Sequence, residues 1–151
     1  MNHTNCITIR PAVDTDMAVI YRFIQELEET SFSAAVFETY YLTNISNPDN
    51  VYLVAVDESN MLIGYLSCHG QILLHHCGWV FEIQEMYIQA EARGKGIGKM
   101  LVTELKNKLS ARNYISLEVT ANINRTATHA FYVSCGFTET HKKFTKNTLP
   151  D

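Results

Sequence analysis

The sequence lacks most of the devices that would tie it to a secreted, membrane-spanning or nucleic-acid-binding role. Its four cysteines, Cys6, Cys68, Cys77 and Cys135, are far apart and form no CxxC. That excludes a disulfide scaffold or a zinc ribbon and predicts reduced thiols in a cytoplasmic protein. No apolar run approaches the length of a membrane span, and the opening MNHTNCITIRP has no apolar stretch of the secretory kind. Positive charge is also short, since 12 basic residues face 16 acidic ones for a net charge of −4. A basic nucleic-acid-binding surface is therefore not expected. With 151 residues, 46% of them hydrophobic, the chain predicts one domain, 1–151, around one core. No linker, repeat or low-complexity segment interrupts it.

Glycine is scarce too, with seven in the chain, yet Gly94, Gly96 and Gly98 fall within five positions. Arg93, Lys95 and Lys99 surround them in the stretch EARGKGIGKM. Ordering glycine is entropically costly. The cluster reads either as a tight turn capping a helix or as an anion site at a helix N-terminus, its amides aimed at a phosphate.

Periodicity supplies the surroundings. A short strand Cys6–Arg10 ends at Pro11. Asp14 caps a helix over about 15–28, with Met17, Ile20, Phe23, Ile24 and Leu27 as its apolar stripe. A second helix runs from Ser33 to about Asn44. Val51–Val56 and Met61–Cys68 form a hairpin around 57–60, and Val80–Ile88 is a further strand. Ile97–Ala111 is an amphipathic helix, Ile115–Thr120 a buried strand, and Thr126–Cys135 a helix stopped by Gly136. Phe137 opens a last strand reaching about Lys146. The order β-α-α-β-β-β-α-β-α-β places antiparallel hairpins first and a β-α-β crossover after them. The glycine cluster falls at the C-terminal end of a strand entering a helix, where α/β folds favour phosphate groups.

Arg93-Gly-Lys-Gly96-Ile-Gly98, the preceding Met86-Tyr-Ile88 and the later Ala130-Phe-Tyr132-x-x-x-Gly136-Phe137 resemble the landmarks of the GCN5-related N-acetyltransferase (GNAT) family. Within it, Leu74-His-His-x-x-Trp79, Glu82-Ile-Gln-Glu85, the 129–132 region and His141-x-x-Phe144-Thr-Lys146 are similar to the aminoalkylphosphonate N-acetyltransferases. The resemblance implies a mixed α+β fold, a mostly antiparallel twisted sheet flanked by helices. It implies acetyl transfer from acetyl-CoA to a small-molecule primary amine, and a homodimer is compatible with it. The backbone from Arg93 through Gly94, Lys95, Gly96, Ile97 and Gly98 to Lys99 would then hold the pyrophosphate. Met86, Tyr87 and Ile88 would pair with the pantetheine arm, and Asn122 either binds that arm, orients a water or is a simple turn residue.

The acceptor must lose a proton before it attacks, so a base is needed. Glu82 leads and Glu85 is second. Regular alternation puts Glu82, Gln84 and Met86 on one face and Glu85 on the other. Tyr132 matches the family's general acid, with packing as the alternative. Neighbouring His75 and His76 would point to opposite faces of a strand and so could not chelate one ion. They read first as core or acceptor-site histidines; the alternative that the resemblance implies is a divalent-metal site made by one of them with Glu82 or a bound phosphonate. The basic tail, read as a strand, would turn either His141 and Lys143 or Lys142, Phe144 and Lys146 toward an anionic acceptor; a solvated sheet edge is the alternative. Aminoglycosides, polyamines and protein amines are rival acceptors, and a non-catalytic acetyl-CoA sensor is a rival class.

Overall fold

A computed structural model describes residues 6–149, in two compact units that divide between Val119 and Thr120. The first unit is a five-stranded sheet in the order β1-β2-β3-β4-β5. Its strands are β1 (Thr8–Pro11), β2 (Asn50–Val56), β3 (Leu62–Leu73), β4 (Gly78–Ile88) and β5 (Ser116–Val119). β1 to β4 pair antiparallel, while β4 and β5 are parallel. A parallel neighbour requires a crossover, which helix α3 (Ile97–Leu109) supplies. The predicted β-α-β unit is therefore present.

Helices α1 (Met17–Glu28) and α2 (Ala34–Ile45) lie between β1 and β2 in the chain. Ile20, Phe23 and Ile24 recur at helical spacing on α1 and are buried with Tyr41 of α2 against Val54, Val56, Tyr65 and Tyr87 of the sheet. On α3, Ile97, Leu101, Leu105 and Leu109 are almost wholly buried. Each such side chain contributes roughly 1.5–3 kcal/mol by leaving water. The two helical layers thus cover opposite faces of one sheet, which agrees with the sheet flanked by helices that the resemblance implies.

Three expectations fail at particular residues. Asp14 does not cap α1. It opens a short 3-10 turn, Asp14–Asp16, and α1 begins at Met17. Asp16 is the engaged carboxylate instead: Arg10 donates to it through two nitrogens at 2.7 and 2.9 Å, and the Val13 amide at 2.8 Å. Burial pushes the Asp16 carboxyl up, but Arg10 and the Val13 amide outweigh that and hold it below its ordinary value. A buried carboxylate needs such a partner, and Arg10 at the sheet edge provides it.

The predicted strand 137–146 is absent among the described residues: 137–148 carry no helix or strand, and Phe144 is 90% exposed. Thr138–Lys146 holds a single large apolar side chain, too little buried surface to offset the ordering of a strand. The alternation argument for the lysines therefore lapses.

The third failure is on β4. Ser67 pairs with Glu85 and Cys68 with Ile83, so one step along β3 spans two residues of β4. Gln84 is the extra residue of a β-bulge. Alternation inverts across it, with consequences for the site.

Candidate active site

Cross-strand partners point to the same face. Ser67 and His69 are two apart on β3 and share a face; Glu85 lies opposite the first and Glu82 opposite the second. The bulge therefore brings Glu82 and Glu85 to one face, and it moves Met86 to the α3 side. This corrects the expectation that Glu82 shares its face with Met86 while Glu85 points away. Gln84 is exposed and donates from its side chain to the Glu82 carbonyl at 3.2 Å.

The shared face changes character along β4. Tyr87 and Tyr65 are buried under α1, and beyond them lies a polar seam of Ser67, Glu85, His69, Glu82 and Tyr52. Ser67 is fully buried. Its hydroxyl donates to the Glu85 carboxylate and accepts from the Glu85 amide at 3.2 Å. Burial pushes the Glu85 carboxyl up, the Ser67 hydrogen bond opposes this, and Glu28 at the end of α1 adds to the rise. The Tyr52 hydroxyl and His69 Nε2 are 2.6 Å apart. Burial pushes the His69 imidazolium down, with Glu82 acting against that. The seam thus joins two carboxylates to a largely neutral imidazole, a set suited to taking a proton from an ammonium.

The glycine loop follows β4. Gly94 and Gly96 have φ of 74° and 78°, and a Cβ built on either would meet nothing within 4 Å. Neither glycine is there to make room for a neighbouring side chain. Gly96 is the residue before α3 and is left-handed, so the first-turn amides of Ile97, Gly98 and Lys99 have no partner within the helix. Positive φ, open space and a helix N-terminus together form a cradle that fits a pyrophosphate. The Lys95 and Lys99 side chains are exposed there. Arg93 is turned back: its Nε donates to the Ile88 carbonyl at 2.9 Å and its guanidinium lies 5.6 Å from the Tyr87 ring centre.

The second unit carries α4 (Thr126–Ser134) and Tyr132. Gly136, at φ 92°, follows the helix. Its amide donates to Val133 and that of Phe137 to Tyr132, both at 3.0 Å, which is the Schellman closure. The same turn packs Phe137 on Tyr132, ring centres 5.6 Å apart. Tyr132 is 7% exposed, and burial pushes its phenol up to about 12. Asn122 behaves as a turn residue: its side chain accepts the Asn124 amide at 2.9 Å and its carbonyl accepts the Arg125 amide at 2.9 Å. His129 Nε2 lies 2.8 Å from that carbonyl.

The Acetyltransferase (GNAT) family model matches residues 19–137. The chain belongs to this family. Over 138 residues this GNAT chain is 30% identical to an aminoalkylphosphonate N-acetyltransferase of Salmonella typhimurium, covering 91% of this chain and 89% of that one. Its fold is similar to that of a transcriptional regulator from Bacillus halodurans, with a TM-score of 0.86 at 19% identity over 94% of this chain and 99% of that one. A glucosamine-6-phosphate N-acetyltransferase from Arabidopsis thaliana gives 0.76 at 19% identity, over 95% and 99%. The GNAT chain is an acetyl-CoA-dependent N-acetyltransferase.

Other expectations for this GNAT enzyme are recast by the geometry. His75 and His76 sit in the turn after β3 rather than on a strand, their ring centres 4.5 Å apart. His76 Nε2 is 3.7 Å from Glu118. Among the described residues, no three His, Cys, Asp or Glu side chains group closely enough to hold a metal ion, and no helix is long and apolar enough to cross a membrane. Sequence reasoning missed Tyr52, Ser67 and His69. The signal for the last two was a polar pair, Ser67 and His69, spaced two apart in an apolar strand. Such residues must be partnered, and here Ser67 is hydrogen-bonded to Glu85 of β4 and His69 to Tyr52 of β2.

Proposed function

We propose that this acetyltransferase acetylates a small primary amine bearing an anionic group, with an aminoalkylphosphonate as the leading acceptor. The observation that carries the acceptor class is the similarity, over nine-tenths of the chain, to the Salmonella aminoalkylphosphonate enzyme. In this reading the ammonium end meets the carboxylate face of β4. Glu82, directly or through water, takes the proton, and Glu85 is the second candidate. The free amine nitrogen then attacks the thioester carbonyl. A backbone N–H near Met86 stabilises the oxyanion, an effect worth roughly 3–4 kcal/mol where such donors have been removed. The C–S bond breaks, Tyr132 gives its proton to the departing thiolate, and the second proton of the attacking nitrogen returns to the phenolate, directly or through water. The loop from Arg93 to Lys99 receives the pyrophosphate of the cosubstrate, while Met86 to Ile88 pair with its amide-rich arm.

A second reading has its own observation. Glu28 is near enough to Glu85 to act on it, and Glu26 and Glu29 line an open surface hollow with Arg22. That many carboxylates favour a polycationic acceptor such as spermidine or an aminoglycoside. The deciding experiment measures thiol release from acetyl-CoA by the purified chain. Its acceptors are aminomethyl- and aminoethylphosphonate, spermidine and kanamycin. A higher kcat/KM for the phosphonates supports the first reading. A clear preference for either polycation overturns it and leaves acetyl transfer intact.

A further inference from the structure

Both halves of the Ser67 hydroxyl go to one residue. Ser67 lies on β3 between Leu66 and Cys68, and all three are fully buried. A hydroxyl in such a place costs free energy unless it is hydrogen-bonded. Its oxygen accepts the Glu85 amide at 3.2 Å, and its O–H is donated to Glu85 Oε2. A serine hydroxyl has a single proton. With a lone pair turned to the amide, that proton is directed at the carboxylate, which when ionised can only accept. The backbone and the side chain of Glu85 are thus held from one point on the neighbouring strand.

The other carboxylate oxygen is in a different position. Glu85 Oε1 takes no hydrogen bond from any described residue. Among the described residues, no buried side-chain oxygen is left without one. Oε1 therefore reaches the accessible surface, while Oε2 is tethered to Ser67. The groups around Glu85 do not neutralise it. Glu28 of α1, Tyr52 of β2 and Tyr65 of β3 are near enough to interact with its charge, and Glu82 and His69 share its face. Of these only His69 can carry positive charge, and burial pushes it toward the neutral form. An accessible oxygen on a tethered, unneutralised carboxylate fits a compact cation that donates N–H. The acceptor's ammonium is the cation that the reaction brings to this face.

We propose that Ser67 is a positioning residue for acetyl transfer, clamping Glu85 by its amide and by Oε2 so that Oε1 receives the acceptor's ammonium before that group loses its proton. The contact is an ion pair that binds the amine and moves no proton. Glu85 is then the anchor of the acceptor, and proton removal stays with Glu82. The inference rests on the proposed reading in which the ammonium end meets the carboxylate face of β4.

The test combines Ser67→Ala, which removes the hydroxyl, with Glu85→Gln, which keeps an oxygen for Ser67 and removes the charge. The first readout is the titration of the Glu85 side-chain carboxyl by carbon NMR in the ligand-free protein, which needs no turnover. A hydrogen bond to the charged form lowers a carboxyl pKa, so Ser67→Ala should raise the midpoint by about half a unit or more. The second readout is steady-state kinetics with aminomethylphosphonate, or with whichever amine is turned over, at a pH above both midpoints. Ser67→Ala should raise the acceptor KM roughly three- to tenfold, with kcat within about twofold and the Kd for coenzyme A unchanged, as for loss of a binding contact. In the Glu85→Gln background the same substitution should leave KM where it was, because a residue that acts through Glu85 has nothing left to position. Ser67→Cys keeps the shape with a weaker donor. It should fall between the parent and Ser67→Ala, and it carries the same comparisons if Ser67→Ala does not fold. An unmoved midpoint, an unmoved KM, an equal rise in KM in both backgrounds, or a joint loss of kcat and coenzyme A affinity overturns the clamp. A parent that releases no thiol with any amine overturns the proposed function instead, and the titration still decides the clamp.

Discussion

Replacing Gly96 by alanine tests the cradle with a single methyl group. Gly96 sits at φ 78°, and the added Cβ would meet nothing within 4 Å. The stability cost is therefore conformational alone, about 1–2 kcal/mol for a side chain forced left-handed. For a chain of this size that is a fall in Tm of roughly 2–8 °C. The variant should stay folded at room temperature. If the open space above Gly96 is where a phosphate approaches the first-turn amides of α3, the methyl displaces it and weakens at least one charge-assisted hydrogen bond. Such a bond contributes about 1.5–3 kcal/mol, so the Kd for coenzyme A should rise roughly ten- to hundredfold. Gly70→Ala is the control. There the Cβ would lie 2.5 Å from a ring carbon of Phe81 and 2.7 Å from the Asp49 carbonyl. It should lose stability through overpacking, about 1–3 kcal/mol, with no specific loss of affinity. Calorimetric titration with coenzyme A and thermal melts read both quantities. A Gly96→Ala protein that melts as expected but binds coenzyme A like the parent would refute the cradle.

Tyr132→Phe keeps the ring packing on Phe137 and removes the acid, so kcat should fall roughly 10²- to 10⁴-fold with coenzyme A affinity nearly unchanged; full activity would leave the residue a packing role only. Glu85 has its carboxyl pushed up by burial, so its folded pKa lies above the unfolded one. The stability linked to it is fully present below the unfolded pKa and is lost as pH rises through the folded value. Urea unfolding of Glu85→Gln should lack the decline that the parent shows on going upward from about pH 4.5; equal slopes in both proteins would contradict the shift.

The helices were legible because each had an apolar stripe at helical spacing, as with Ile20, Phe23 and Ile24. The glycine loop was legible because three glycines cannot gather cheaply without a backbone reason. Gly136 was legible as a stop, and the structure adds that the same turn fixes the Tyr132 ring against Phe137. Two things were hidden. A β-bulge has no composition of its own: Glu82-Ile-Gln-Glu85 reads as a plain alternating strand, and the extra residue becomes visible only through the partner on β3. Polar side chains recruited from β2 and β3 were hidden for the same reason, since Tyr52 and His69 are 17 positions apart in the chain. The tail misled in the other direction. Its residues allow a strand, but strand formation depends on a buried face that Thr138–Lys146 cannot supply.

The bulge also makes this strand unusually sensitive to length. Beyond Gln84 the chain runs out of phase with the part before it, so one residue separates two incompatible assignments of inside and outside. Losing Gln84 would not shorten a loop. It would rotate every side chain from Gly78 to Ile83 by half a turn relative to β3, sending Glu82 toward the leucines of α3 and Ile83 into the polar seam. The same deletion among residues 57–60, in the turn between β2 and β3, would cost only a turn. A register change of this kind reverses chemistry without altering composition. Within this sheet, a residue gained or lost in the 57–60 turn leaves both faces as they are, whereas one gained or lost between Ile83 and Glu85 exchanges them.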